Sequence, residues 1–156
     1  MFILLDIDGV LVTEPAWKKV EIAVDGFMVF NEKSARNLAE ILVKSNASVI
    51  LTTTHRINYQ LDKWIEIFAA RGITIKSISK LNNIESIALM QSRAVEIQDW
   101  VYLQGENVEY LIIDDDPSLN SLPEHIKERC VITKSTVGFD DDAKQKALQL
   151  IGEFNT

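Results

Sequence analysis

Three short apolar runs, FILL at 2–5, SVIL at 48–51 and YLII at 110–113, each break off into a polar cluster: DID, TTT and DDD. Runs of about four apolar residues without polar alternation suit strands covered on both faces. Between them lie segments with helical spacing. Strands alternating with helices imply βαβ units and a parallel sheet with helices on both faces. Right-handed crossovers line up the C-terminal ends of such strands along one edge, where open α/β sheets bind ligands. Asp6 and Asp8, Thr52 to Thr54 and Asp114 to Asp116 would therefore meet in one crevice.

The remaining elements follow from spacing. VEIAV at 20–24, Asp25-Gly26 and FMVF at 27–30 predict a hairpin with a type I′ turn. Asn31 caps a helix through Ala35, Leu38, Ala39, Leu42 and Val43. Leu61, Trp64, Ile65 and Phe68 make the apolar face of the next helix, closed by Gly72. ITIKSI at 73–78 predicts a strand. Residues 84–103 predict a helix broken near Ser92, with Val95, Ile97, Trp100 and Val101 inward. CVIT at 130–133 is a short strand, and Asp140 or Asp141 opens a last helix through Leu148 and Ile151.

Composition narrows the classes. With 156 residues, 47% hydrophobic and 25% charged, the chain suits one domain spanning 1–156 with its own core. No apolar run approaches the roughly 20 residues of a membrane helix, and no cleavable leader opens the chain, so no membrane partner and a cytoplasmic location are expected. The single Cys130 reads as core filler beside Val131 and Ile132. A net charge of −7, from 16 basic and 23 acidic residues, argues against bulk nucleic-acid binding. A local phosphate site stays open, because a metal ion reverses the charge of one pocket.

Clustered carboxylates need a cation. Asp6, Asp8, Asp114 and Asp115 offer hard oxygens without thiolate or imidazole, a set that suits Mg²⁺ rather than zinc or copper. In extended chain, Asp6 and Asp8 point to one side with Ile7 turned into the core. One carboxylate can attack phosphorus while its neighbour protonates the leaving oxygen. Thr52 can offer its hydroxyl and backbone N–H to a phosphate oxygen, and a Lys or Arg must neutralise the remaining charge.

DIDGVLV, VILTTTHR, a basic residue at 93 and LIIDDDP resemble, in order, the four motifs of the haloacid dehalogenase-like (HAD) phosphohydrolases. TTTHR and IIDDD look most like the small HAD domains associated with RNA-repair proteins. The resemblance implies a Rossmann-like fold, with the hairpin at about 19–30 as a flap and no room for a large cap domain. It implies a Mg²⁺-dependent phosphomonoesterase working through an aspartyl-phosphate. Asp6 would be the nucleophile and Asp8 the general acid/base. Asp6, Asp8 through its main-chain carbonyl, Asp114 and Asp115 would hold Mg²⁺, and Thr52, Thr53 and Arg93 would bind phosphate. Lys80 competes with Arg93 for the basic role. An open site favours a phosphorylated macromolecule or terminal phosphate, so the partner is a small phosphorylated molecule or a nucleic-acid end.

Blander readings stand beside these. Asp6 and Asp8 could cap a strand end, and Thr52 to Thr54 could be turn hydroxyls. Asp116 fits a capping role on Ser118, and Asp140 to Asp142 fit a helix N-terminus. His55 is either a substrate contact or structural, and Arg56 either that or half of an ion pair. Trp17, Trp64 and Trp100 read as packing, with base stacking an alternative for Trp17 alone, near the flap. A receiver-like signalling domain or a catalytically silent phosphate-binding domain is the alternative to an enzyme.

Overall fold

The computed structural model describes residues 1–15 and 19–154, so the Trp17 assignment lies outside the described residues. Five strands form one parallel sheet: β1 (Phe2–Leu5), β2 (Ser48–Leu51), β3 (Ile78–Lys80), β4 (Tyr110–Asp114) and β5 (Cys130–Ile132), in the order β3-β2-β1-β4-β5. Leu5 is level with Leu51 on one side and Ile113 on the other. The helices are α1 (Glu32–Ser45), α2 (Leu61–Ala69), α3 (Arg93–Gln104), α4 (Glu124–Lys127) and α5 (Asp141–Phe154).

Side-chain alternation divides the sheet into two cores. Ile3, Leu5, Val49, Leu51, Leu111, Ile113 and Val131 pack on α1, α2 and α5. Leu4, Ile50, Ile112 and Cys130 pack on α3 and on Leu119, Leu122 and Ile126. The apolar runs are continuous because both faces are covered. The chain builds outward from β1 to β3, then returns through α3 to β4 on the other side of β1. The switch in direction falls between β1 and β4, and open α/β sheets bind their ligands outside the strand ends at such a point.

Helix ends follow the expected chemistry. Asn31 accepts the Ser34 N–H at 3.0 Å, and Ser92 accepts from Val95 at 3.3 Å. Asp140 accepts from Ala143 at 3.0 Å as α5 begins. Several expectations shift. The third strand is Ile78–Lys80 rather than 73–78, because Ile73 and Ile75 are drawn into the core as loop residues. The long helix over 84–103 is a short 3₁₀ turn at Ile87–Leu89 followed by α3, with Ser92 as the cap at the break. Val43, Ile65 and Val95 face solvent, because each helix turns a narrower stripe to the sheet than its apolar count suggests.

The hairpin at 20–30 is present as a single antiparallel bridge, Ile22 with Met28. Its turn is not type I′, since Gly26 alone has positive φ (87°). Gly26 N–H bonds to Ala23 C=O at 3.0 Å and Ala23 N–H to Phe27 C=O at 2.7 Å, the pattern of a three-residue loop ending in a glycine bulge. Arg71, just past α2, grips the loop through Asp25, with Nη1–Oδ2 at 2.6 Å and Nη2–Oδ1 at 3.0 Å. That hydrogen bonding pulls the Asp25 carboxyl down to about 2. Phe27 packs edge-on against Trp64 and Tyr59, so the hairpin is seated on α2. Among the described residues no cap domain is inserted.

Candidate active site

Continuing the register one residue past β1 and β2 sets Asp6 between Thr52 and Asp114. Asp6 N–H bonds to Ile113 C=O at 3.1 Å and Thr52 N–H to Leu5 C=O at 2.9 Å. All three share the even-numbered parity of Leu4, Ile50 and Ile112, the residues that face α3. Arg93, the first residue of α3, reaches back over them. Its Nη1 lies 2.6 Å from Asp114 Oδ2 and 3.4 Å from Asp6 Oδ1. Lys80 instead donates to the Tyr59 carbonyl at 2.7 Å, so Arg93 is the cation beside the carboxylates.

Carboxylate oxygens of Asp6, Asp114 and Asp115 lie within 4.8 Å of one another. Asp6 and Asp114 are buried. Burial, then the Asp114 charge, pushes the Asp6 carboxyl well above its ordinary range, against the pull of Arg93 and the Ile7 N–H. Asp115 is raised by the same two causes. Burial works against the Arg93 charge, but Asp114 and Asp6 outweigh it and hold the guanidinium protonated. Among the described residues one cation, Arg93, therefore faces three carboxylates, and such a set of hard oxygens fits Mg²⁺.

Gly9 makes this convergence possible. A Cβ there would lie 1.9 Å from Asp115 Oδ2, and φ is +77°. The loop is tight: amides of Val10, Leu11 and Val12 all bond to Ile7 C=O, at 3.1, 2.8 and 3.0 Å. Thr133, beyond β5, donates its hydroxyl to Gly9 C=O at 2.7 Å.

Asp8 stands apart from the three-carboxylate cluster. Its Oδ2 meets His55 Nε2 at 2.8 Å, and His55 lies edge-on to Phe27 of the hairpin. The Asp8 contact raises the His55 pKa although burial opposes it. Thr52 Oγ1 is buried without a hydrogen-bond partner among the described residues. Its N–H, expected to meet phosphate, is used in the ladder with Leu5, because the parallel pairing runs one residue further. Thr53 Oγ1 accepts the His55 N–H at 3.2 Å and caps the 3₁₀ turn Thr54–Asn58. Asp116 accepts from Ser118 N–H at 2.8 Å, the capping role.

The sequence left Arg56 open, and it did not single out Glu96 or Asn82. Arg56 is fully buried and pairs with Glu96 at 3.0 Å. The available signal was Glu96 one turn after Arg93 on the same helix.

Three clustered carboxylates at the switch point, a guanidinium against two of them and a strand-end hydroxyl beside them form the arrangement of a HAD-like phosphatase. The chain belongs to the family of HAD domains in Swiss Army Knife RNA repair proteins, whose model matches residues 2–143. The fold is shared with a D,D-heptose 1.7-bisphosphate phosphatase from B. bronchiseptica, solved as a complex with magnesium and phosphate. That similarity has a TM-score of 0.53 at 19% identity, over 97% of this chain and 98% of that one. No curated protein matches the chain.

Proposed function

We propose that this domain hydrolyses phosphomonoesters with Mg²⁺ through an aspartyl-phosphate on Asp6. The observation that carries the reading is the convergence of Asp6, Asp114 and Asp115 with Arg93 at 2.6 and 3.4 Å. Asp6, Asp114 and Asp115, with the Asp8 carbonyl, would hold Mg²⁺. When bound, the ion neutralises charge on the phosphoryl oxygens. Likeness to a phosphatase complexed with magnesium and phosphate supports the choice of ion.

An Asp6 oxygen bonds to phosphorus as the bond from phosphorus to the leaving oxygen breaks. As general acid, Asp8 passes a proton to that oxygen. Arg93 and the unpartnered Thr52 hydroxyl donate to the transferring oxygens. Asp8 then takes a proton from a water that attacks phosphorus, the bond to Asp6 breaks, and inorganic phosphate leaves. Asp6 thus returns as a carboxylate.

Absence of a cap among the described residues leaves the crevice open to bulky esters. Together with a family found in RNA repair proteins, that supports nucleotides or nucleic-acid termini as substrates. A single domain over 1–156 in the cytoplasm completes the reading. The location is supported by the single Cys130, which is buried and leaves no partner for an internal disulfide.

Leaving-group dependence tests the roles. Asp8→Asn should depress hydrolysis of a nucleotide or sugar phosphate by about 10² to 10⁴-fold more than p-nitrophenyl phosphate, whose leaving group needs no acid. Asp6→Asn should abolish both, and EDTA should silence the wild type. Equal Asp8→Asn losses on both esters would remove Asp8 from the acid role, and a wild type indifferent to EDTA would remove the metal.

A further inference from the structure

Arg56 carries a buried charge on an expensive footing. Its guanidinium is fully buried, and burial lowers its pKa despite Glu96. A buried ion pair is seldom more stable than apolar side chains of the same volume. What the pair supplies here is geometry. Nη1 donates to the carbonyls of Thr52 at 3.0 Å and Thr53 at 3.2 Å. Nη2 donates to Glu96 Oε2 at 3.0 Å and Asn82 Oδ1 at 3.2 Å, and Asn82 Nδ2 donates to the same Glu96 oxygen at 2.9 Å. One planar fork thus joins the loop after β2, the turn after β3 and the first turns of α3.

A trans peptide points its N–H opposite its C=O. Drawing the Thr52 and Thr53 carbonyls onto Arg56 therefore turns the N–H groups of Thr53 and Thr54 away from it. Neither N–H has a hydrogen-bond partner among the described residues. Two free amides beside the unpartnered, buried Thr52 hydroxyl are suited to phosphate oxygens. Through Glu96, the same guanidinium fixes α3 one turn beyond Arg93. Ser118 holds that helix from the other side, accepting the Ala94 N–H at 3.1 Å.

We propose that Arg56 is a positioning residue for phosphate: it sets the donors of the Thr52–Thr54 loop and, through Glu96, the helix that aims Arg93. The proposal rests on reading the crevice as a phosphate site.

The test reads inhibition of p-nitrophenyl phosphate hydrolysis by inorganic phosphate at millimolar Mg²⁺, with Tm and the Mg²⁺ midpoint measured alongside. A wild type that neither turns over nor responds to phosphate overturns the site reading and this proposal with it. With an active wild type, Arg56→Met/Glu96→Leu exchanges the pair for apolar volume. Its Tm should fall, because the Thr52 and Thr53 carbonyls and Asn82 lose their partner, while the phosphate Ki of the folded variant rises about 10 to 100-fold, as expected for donors misplaced by roughly 1 Å. Arg56→Lys keeps the cation but cannot span both carbonyls and Glu96, so its Ki should rise about tenfold even if the double variant folds poorly. A Ki within about twofold of wild type in the folded variants overturns the role. So does a parallel loss of Mg²⁺ binding, which marks general disorder of the site.

Discussion

Nε2 of His55 lies 2.8 Å from Oδ2 of Asp8, tying the turn after β2 to the loop after β1. The contact raises the His55 pKa above 6.5. A raised histidine pKa means that the contact's stability is fully present below the unfolded value and is lost as pH rises through the folded one. NMR titration should find His55 above the ordinary range, and Asp8→Asn should bring it down. A His55 pKa indifferent to that substitution would show that the pair does not persist in solution.

Charge repulsion in the acidic cluster should make stability respond to Mg²⁺. The folded state holds the Asp6 proton more tightly than the unfolded chain, so stability falls as pH rises from the ordinary carboxylate range through the raised value. Millimolar Mg²⁺ at pH 7 should raise Tm, by about 2.7 kcal/mol of stabilisation if the ion is at 100 times its Kd. Asp114→Ala should abolish the shift. Absence of any Mg²⁺ response in the wild type, by melting and by calorimetry, would count against metal binding.

Gly9→Ala should damage the same response from the other side. The new Cβ meets Asp115 Oδ2 at 1.9 Å and sits at φ +77°. Gly26 has φ +87° with nothing within 4 Å, so Gly26→Ala isolates backbone strain, about 1–3 kcal/mol. Gly9→Ala should lower Tm by more than Gly26→Ala and weaken the Mg²⁺ response, whereas Gly26→Ala should leave that response intact. Equal effects on Tm with Mg²⁺ binding unchanged would show that Asp115 is not held by the missing Cβ.

Much of the site was legible because its elements are local. A four-residue apolar run ending in a polar residue marks a buried strand and its C-terminal edge, and the parallel sheet then brings Asp6, Thr52 and Asp114 to that one edge. Ser92 and Asn31 were legible as helix breaks or caps for the same reason, since a cap acts within three residues. The hairpin turn was misread because Asp-Gly serves both type I′ and glycine-bulge loops. Arg71, 46 residues away, grips Asp25 in the geometry of the second. The strand at 73–78 slid downstream because Ile73 and Ile75 found their burial in the core as loop residues, which β-propensity does not register.

By itself, then, the sequence determined the parallel sheet, the strand ends that carry the chemistry and the residue types gathered there, since periodicity and spacing act along the chain. Only the tertiary structure decided the partners. Asp8 goes to His55 across 47 residues, Arg56 to Glu96 across 40, and Asp115 to the empty side of Gly9. Each pairing depends on how far one packed element has turned against another, and that angle is a property of the whole core rather than of any local stretch.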